Sequence, residues 1–246
     1  MRAIILAAGR GSRMRELTDS KPKCLVELCG VPLLRYQVGA LRAAGVEDIG
    51  IVVGYAREAL LPYVRELGLE AFENARWADS NMIHSLECAR EWLLSCSSCV
   101  VSYSDIFYES SLVRDLAQVE ADMAIGYDVN WRTLWEARFS NPLEDAESFV
   151  VEHGYLREIG RRVESLDSIQ GQYMGLLRFS AAGLRRLFEY AQAFDVKIDT
   201  TSLLAYALRQ GEQIACVPYS GIWGECDNKN DVSLYERLYP RLNLMK

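Results

Sequence analysis

Cysteine, histidine and long apolar runs are all scarce in this 246-residue chain, and each scarcity narrows what it does. Seven cysteines (Cys24, Cys29, Cys88, Cys96, Cys99, Cys216, Cys226) are too few for a disulfide scaffold, and their number is odd. Cys96-Ser-Ser-Cys99 has the spacing of a metal or redox pair, but no second pair and no nearby histidine completes a zinc site. The cysteines therefore read as small buried hydrophobes. The two histidines, His84 and His153, have no partner by spacing and read as structural. No stretch approaches the about eighteen apolar residues of a membrane span. The apolar run at residues 3–8 is too short for a secretion signal, and no small-residue cleavage site follows it. Basic charge is short as well: 27 Lys+Arg face 34 Asp+Glu, a net charge of −7. That excludes a nucleic-acid binder relying on a general basic face. These absences predict a reduced, soluble, cytoplasmic enzyme without a membrane partner.

What the chain does have is alternation. Residues 3–8, 49–53 and 99–103 are short apolar runs bounded by Gly, Asp or Ser, as buried parallel strands are. Between them, residues 32–44, 56–67 and 81–94 carry apolar side chains at helical spacing. Pro32 suits a first helical turn and Gly45 a C-terminal cap. This predicts an α/β fold of right-handed βαβ units through about residue 126. Farther on, 149–152 and 155–159 flank His153-Gly154 as a hairpin. Strands are expected at 172–179, 214–218 and 222–226, with helices at 181–192, 200–210 and 231–238. No linker interrupts the chain, so residues 1–246 read as one domain with a capping insertion in the second half.

The stretch Leu6-Ala7-Ala8-Gly9-Arg10-Gly11-Ser12-Arg13 delivers a strand to a glycine-rich turn, followed by Leu17-Thr18 and Pro22-Lys23. Glycines let the backbone approach a phosphate and point N–H groups at it. Arg13 and Lys23 add positive charge, one as a fork and one as a point. The first 25 residues hold six basic side chains against Glu16 and Asp19, so that segment is +4 and the remainder −11. Walker A is excluded because Gly11 is followed by Ser-Arg instead of Lys-Ser/Thr. The dinucleotide fingerprint is excluded because Met14 stands where its third glycine belongs.

These residues resemble the N-terminal signature of the nucleotidyltransferase family with a GT-A-like Rossmann fold, which includes sugar-phosphate nucleotidylyltransferases. Glu16 departs from it, standing where many sugar-phosphate members have proline. Asn81-Met-Ile-His-Ser85-Leu86 resembles the helix start of bacterial phosphocholine cytidylyltransferases. Trp131, Trp135, Arg138, Asn141-Pro-Leu-x-Asp145-Ala-Glu147 and Gln172-Tyr173-Met-Gly175-Leu look like the subgroup using phosphonate or small phosphorylated substrates, among them phosphoglutamine. The resemblance implies a Rossmann-like mixed, mainly parallel sheet flanked by helices. It also implies a cytidylyltransferase that uses CTP, a small phosphate or phosphonate acceptor and Mg²⁺.

Such a reaction joins two anions, so positioning and charge neutralisation supply most of its rate. Asp105, after the strand at 99–103, and Asp227, in Trp223-Gly-Glu225-Cys-Asp227, are the expected metal ligands; the competing expectation for each is a helix N-cap. Lys23, Arg13 and Asp105 are assigned to catalysis. Leu6, Ala7, Ala8, Gly9, Gly11, Ser12, Arg13, Lys23, Asn81 and Ser85 are assigned to the nucleotide, with simple capping as the alternative for Asn81 and Ser85. Trp131, Trp135, Arg138, Asp145, Glu147, Gln172 and Tyr173 are expected to receive a zwitterionic acceptor, through Trp faces, a phosphate-binding Arg and amine-pairing acids. For Trp131 and Trp135, ordinary core packing is the alternative. A sugar-1-phosphate nucleotidylyltransferase using UTP or dTTP is the rival activity, and a non-catalytic nucleotide-sensing domain the rival class.

Overall fold

The alternation of apolar runs and helices becomes one broad mixed sheet in a computed structural model of the chain. The structure describes residues 1–246 apart from 12, 13, 15, 16, 243, 245 and 246. In chain order the first half runs β1 (Arg2–Leu6), β2 (Glu27–Leu28), β3 (Val31–Pro32), α1 (Leu33–Ala43), β4 (Ile49–Val53), α2 (Arg57–Glu66), β5 (Glu70–Glu73), α3 (Met82–Glu87), α4 (Arg90–Leu94), β6 (Ser98–Tyr103), β7 (Ile106–Tyr108), α5 (Ser110–Ala117) and β8 (Met123–Asp128). There follow α6 (Trp131–Arg138), β9 (Glu147–Glu152), β10 (Tyr155–Arg162), β11 (Gln172–Ser180), α7 (Ala181–Ala191), α8 (Thr200–Arg209), β12 (Ile214–Tyr219), β13 (Trp223–Glu225) and α9 (Lys229–Leu238).

The central sheet has nine strands in the order β5-β4-β1-β6-β11-β8-β12-β10-β9. β5, β4, β1 and β6 are mutually parallel, and β8 and β12 are parallel to each other. β11 enters antiparallel between β6 and β8. All five β4 residues are buried, as expected of a parallel strand covered on both faces. The parallel strands therefore end together on one edge, where the βα turns gather.

The sequence reading needs two adjustments here. Residues 81–94 form two short helices, not one. Ala89 separates them at φ −105°, ψ 13°, and carries its methyl into the core. Pro32 lies just before α1 and not within its first turn; Gly45, at φ +84°, follows the helix as expected. The hairpin turns at His153 and Gly154 with φ of 53° and 81°, the twist that suits a two-residue connection. It joins the sheet edge through Tyr155 and Ala215. All seven cysteines are free. Among the described residues, no helix is long and apolar enough to cross a membrane.

Because β11 is locked between two neighbours, its apolar side chains carry much of the sheet. Phe179, 1% exposed, lies opposite Cys99 on β6 and Met123 on β8. Phe179→Ala is expected to destabilise the protein by about 3–5 kcal/mol through the cavity it leaves. Urea unfolding checks this, and a loss under about 1 kcal/mol contradicts the packing described.

Candidate active site

At the carboxyl ends of β1 and β6 lies a cleft of about 290 Å³. Its lining contains Leu6, Ala8, Gly9, Gly11, Lys23, Asn81, Ser85 and Asp105, eight residues expected from the sequence. Ala7 is not among them: it is buried, and its N–H donates to Val52 O at 3.0 Å. Ser12 and Arg13 lie outside the described residues. Trp77, Ser80, Met82, Tyr103 and Ser104 also line the cleft and were missed. Tyr103 and Ser104 directly precede Asp105, so their position at a strand end was a usable signal. Trp77 comes from the loop after β5 and packs edge-on against Tyr55 at 5.2 Å, a contact with no local signature.

The glycine turn is shaped around the lysine. Gly11 has φ +64°, and a Cβ there would stand 3.1–3.2 Å from the Lys23 side chain. A larger residue would thus be both strained and crowded. Thr18, buried, donates from Oγ1 to Gly11 O at 3.1 Å and so closes the loop. Asn81 accepts from Met82 N at the start of α3, so it both caps that helix and faces the cleft. Ser85 accepts from Asn74 Nδ2 at 3.0 Å.

Lys23 opens a short 3-10 turn after Pro22 and is buried. Its Nζ donates to Asp105 Oδ2 at 2.7 Å and to Asp227 Oδ1. Neither aspartate caps a helix: Glu109 precedes α5 and Asn228 caps α9. What unites the acids is a second, two-stranded ladder. β13 pairs with β7, setting Glu225 opposite Ile106, and Cys226 N donates to Asp105 O at 2.8 Å. Asp105, Glu225 and Asp227 each offer an oxygen, and these atoms lie within 4.8 Å of one another. Glu225 was quoted in the sequence motif but not assigned. Its signal was the i, i+2 spacing with Asp227, which puts both on one side of an extended chain.

The charges perturb one another strongly. Burial would depress the Lys23 ammonium, but Asp105, Asp227 and Glu225 outweigh it and hold the group above its ordinary value. Burial, then the carboxylates of Asp227 and Asp105, push Glu225 up to about 8 against the pull of Arg138 and Lys23.

The expected acceptor residues divide. Trp131 and Trp135 are core residues, 4% and 3% exposed, with Trp135 packed 6.2 Å from Trp223. The Arg138 side chain is wholly buried among Asp231, Glu225 and Asp227. None of the three presents a surface to an acceptor, because ring packing and ion pairing have already used them. Gln172 is also buried, donating from Nε2 to Glu147 O at 2.7 Å. Asp145 accepts from Trp135 Nε1 at 3.1 Å. Glu147 is half-buried, and burial together with Asp199 and Asp145 raises its carboxyl above the ordinary range. Tyr173, half-buried, meets the cleft residue Tyr103 edge-on at 5.7 Å. Asp145, Glu147 and Tyr173 are what remains of the expected set.

The raised Glu225 has a sign that can be checked. The folded protein keeps a proton that the unfolded chain releases, so this group opposes folding increasingly as pH rises from about 4.5 to about 8. Glu225→Gln removes that effect. In metal-free buffer, its stability relative to wild type is expected to increase steadily between about pH 5 and pH 8. Denaturant midpoints across that range measure it, and a difference independent of pH contradicts the carboxyl's displacement.

Comparison with known proteins identifies the family. Residues 3–164 match the MobA-like NTP transferase domain. The CTP:phosphoglutamine cytidylyltransferase of Campylobacter jejuni is 34% identical over 95% of this chain and 98% of its own. The choline-phosphate cytidylyltransferase of Streptococcus pneumoniae is 36% identical over 48% of this chain and 51% of its own. Among solved structures, the inositol-1-phosphate CTP transferase of T. maritima superposes with a TM-score of 0.77 at 20% identity, over 98% of this chain and 97% of that one. That likeness confirms the fold. A glycine-rich turn after the first strand, a buried lysine behind it and acids at the strand ends are thus carried by a chain that belongs to the MobA-like NTP transferase family of nucleotidyltransferases.

Proposed function

We propose that this chain is a Mg²⁺-dependent cytidylyltransferase. It joins CMP from CTP to a small phosphorylated or phosphonate acceptor of the phosphoglutamine, phosphocholine or 2-aminoethylphosphonate type, and releases pyrophosphate. The observation that carries the reading is Lys23 bridging Asp105 and Asp227 at the end of a glycine-lined cleft. The full-length similarity to a phosphoglutamine enzyme favours CTP over UTP or dTTP and a small charged acceptor over a sugar phosphate. No nucleic-acid partner is implied.

Three carboxylates in one cluster are hard oxygen donors of the kind that suits Mg²⁺. Asp105, Asp227 and the newly found Glu225 would hold it. When bound, the ion neutralises phosphate oxygens and aligns them.

An acceptor oxygen attacks the α-phosphorus of CTP, and the bond to the β-phosphate oxygen breaks. That acceptor oxygen is already ionised near neutral pH, so the protein need supply no base. Backbone at residues 9–11 receives the phosphates. At Gly9 a Cβ would meet no protein atom within 4 Å, so the space beside it is available for close approach. Lys23 stabilises charge on the α-phosphate and the incoming oxygen, and Arg13 is assigned to the departing pyrophosphate. Asn81 and Ser85, with main chain at residues 6, 8 and 9, contact the base and ribose. Asp145 and Glu147 supply negative charge for an acceptor amine, and Tyr173 closes that side.

Pyrophosphate release over a grid of CTP, UTP and dTTP against these acceptors and sugar 1-phosphates tests the reading. Turnover only with CTP and a phosphate or phosphonate that carries an amine or quaternary ammonium is expected; turnover only with UTP or dTTP and a sugar phosphate overturns it. Asp105→Ala and Asp227→Ala are expected to abolish Mg²⁺-dependent turnover while keeping the circular-dichroism spectrum. Near-normal activity in both overturns the metal assignment. Lys23→Ala is expected to lower kcat by about 10²–10³-fold.

A further inference from the structure

Arg138 ends α6, in a part of the chain read from sequence as an acceptor-binding segment, yet its guanidinium faces the acid cluster. Nε lies 3.0 Å from Asp231 Oδ1 and Nη2 lies 3.3 Å from Asp231 Oδ2, a two-pronged grip on one carboxylate. Nη1 reaches Glu225 Oε2 at 3.3 Å, and Nη2 stands 3.8 Å from Asp227 Oδ2. The guanidinium packs 5.1 and 5.0 Å from the Trp135 and Phe139 rings, which touch each other. The planar fork therefore packs against two neighbouring aromatic side chains and faces three carboxylates.

Asp231 passes this restraint on. Its Oδ2 accepts from Asp227 N at 2.8 Å and from Asn228 N at 3.1 Å, within the capping box of α9. One guanidinium thereby controls both the backbone that carries Asp227 and the direction of its carboxylate. Asp227 Oδ1 is turned to Lys23, and Oδ2 to Arg138.

We propose that Arg138 is a positioning residue for the metal: acting through Asp231, Glu225 and Asp227, it sets the angle at which the acid cluster presents its oxygens to the ion. The proposal rests on the Mg²⁺-dependent reading above. Lysine keeps the charge but cannot span three carboxylates from a point donor.

Mn²⁺ is the probe, titrated into the full chain with and without CTP and followed by the electron paramagnetic resonance of free Mn²⁺. Arg138→Lys is expected to bind Mn²⁺ about 10–100-fold more weakly, as altered outer-shell partners do. Its affinity for CTP in the presence of EDTA is expected to stay at the wild-type value. A purely structural role would instead lower both affinities together. Asp231→Asn, which weakens the grip while leaving Glu225 and Asp227 beside Arg138, is expected to move Mn²⁺ affinity in the same direction and carries the test if Arg138→Lys does not fold. Wild-type Mn²⁺ affinity in the folded variants, or a matching loss of metal-free CTP binding, overturns the proposal. Wild-type Mn²⁺ binding by Asp105→Ala overturns the metal reading itself, so the two failures are distinguishable.

Discussion

The ammonium of Lys23 joins carboxylates that lie 82 and 204 residues farther along the chain. An uncompensated pair of acids at that depth would cost several kcal/mol per charge by desolvation. The lysine and its acids are therefore tolerable only as a set. Around them stand Glu225, Asp231 and Arg138, so that among the described residues four carboxylates face two cations at the centre of the site. If all were ionised the balance would be −2, and the upward displacement of Glu225 is how the protein itself relieves it. An acid excess of this size is also the electrostatic condition under which a divalent cation binds readily.

Much of this was legible in the sequence, for reasons that are local. The buried strands at 49–53 and 99–103 are written as consecutive apolar residues, and the glycine turn lies directly after the first of the parallel strands. Gly9, Gly11, Lys23, Asp105 and Asp227 could be assigned because each lies beside such a marker. Arg138 could not be placed in the same way. Its principal partner, Asp231, is 93 residues away, and a Trp-x-x-x-Trp-x-x-Arg helix looks alike whether it faces a ligand or a core. Trp77 had no marker, and the break in residues 81–94 falls at Ala89, a residue type that gives no sign of a helix end.

The misplaced residues change how the two substrates relate. α6 was expected to reach outward to an acceptor; it reaches inward, to the acids, while Trp135 on the same helix donates to Asp145. The two side chains are three residues apart, one helical turn. The carboxylates proposed to hold the metal and the acid assigned to the acceptor amine therefore share one support. In a reaction between two anions, where alignment supplies much of the rate, a common mount for both binding regions is a physical advantage.

Cys226 lies between Glu225 and Asp227 and is fully buried, while the acids on either side turn to the site. This follows from the two-residue period of an extended chain. Its consequence concerns length more than composition. Adding or removing one residue within β13 itself would exchange the two sides, sending a thiol toward the site and two carboxylates into the hydrophobic layer around Phe107 and Tyr235.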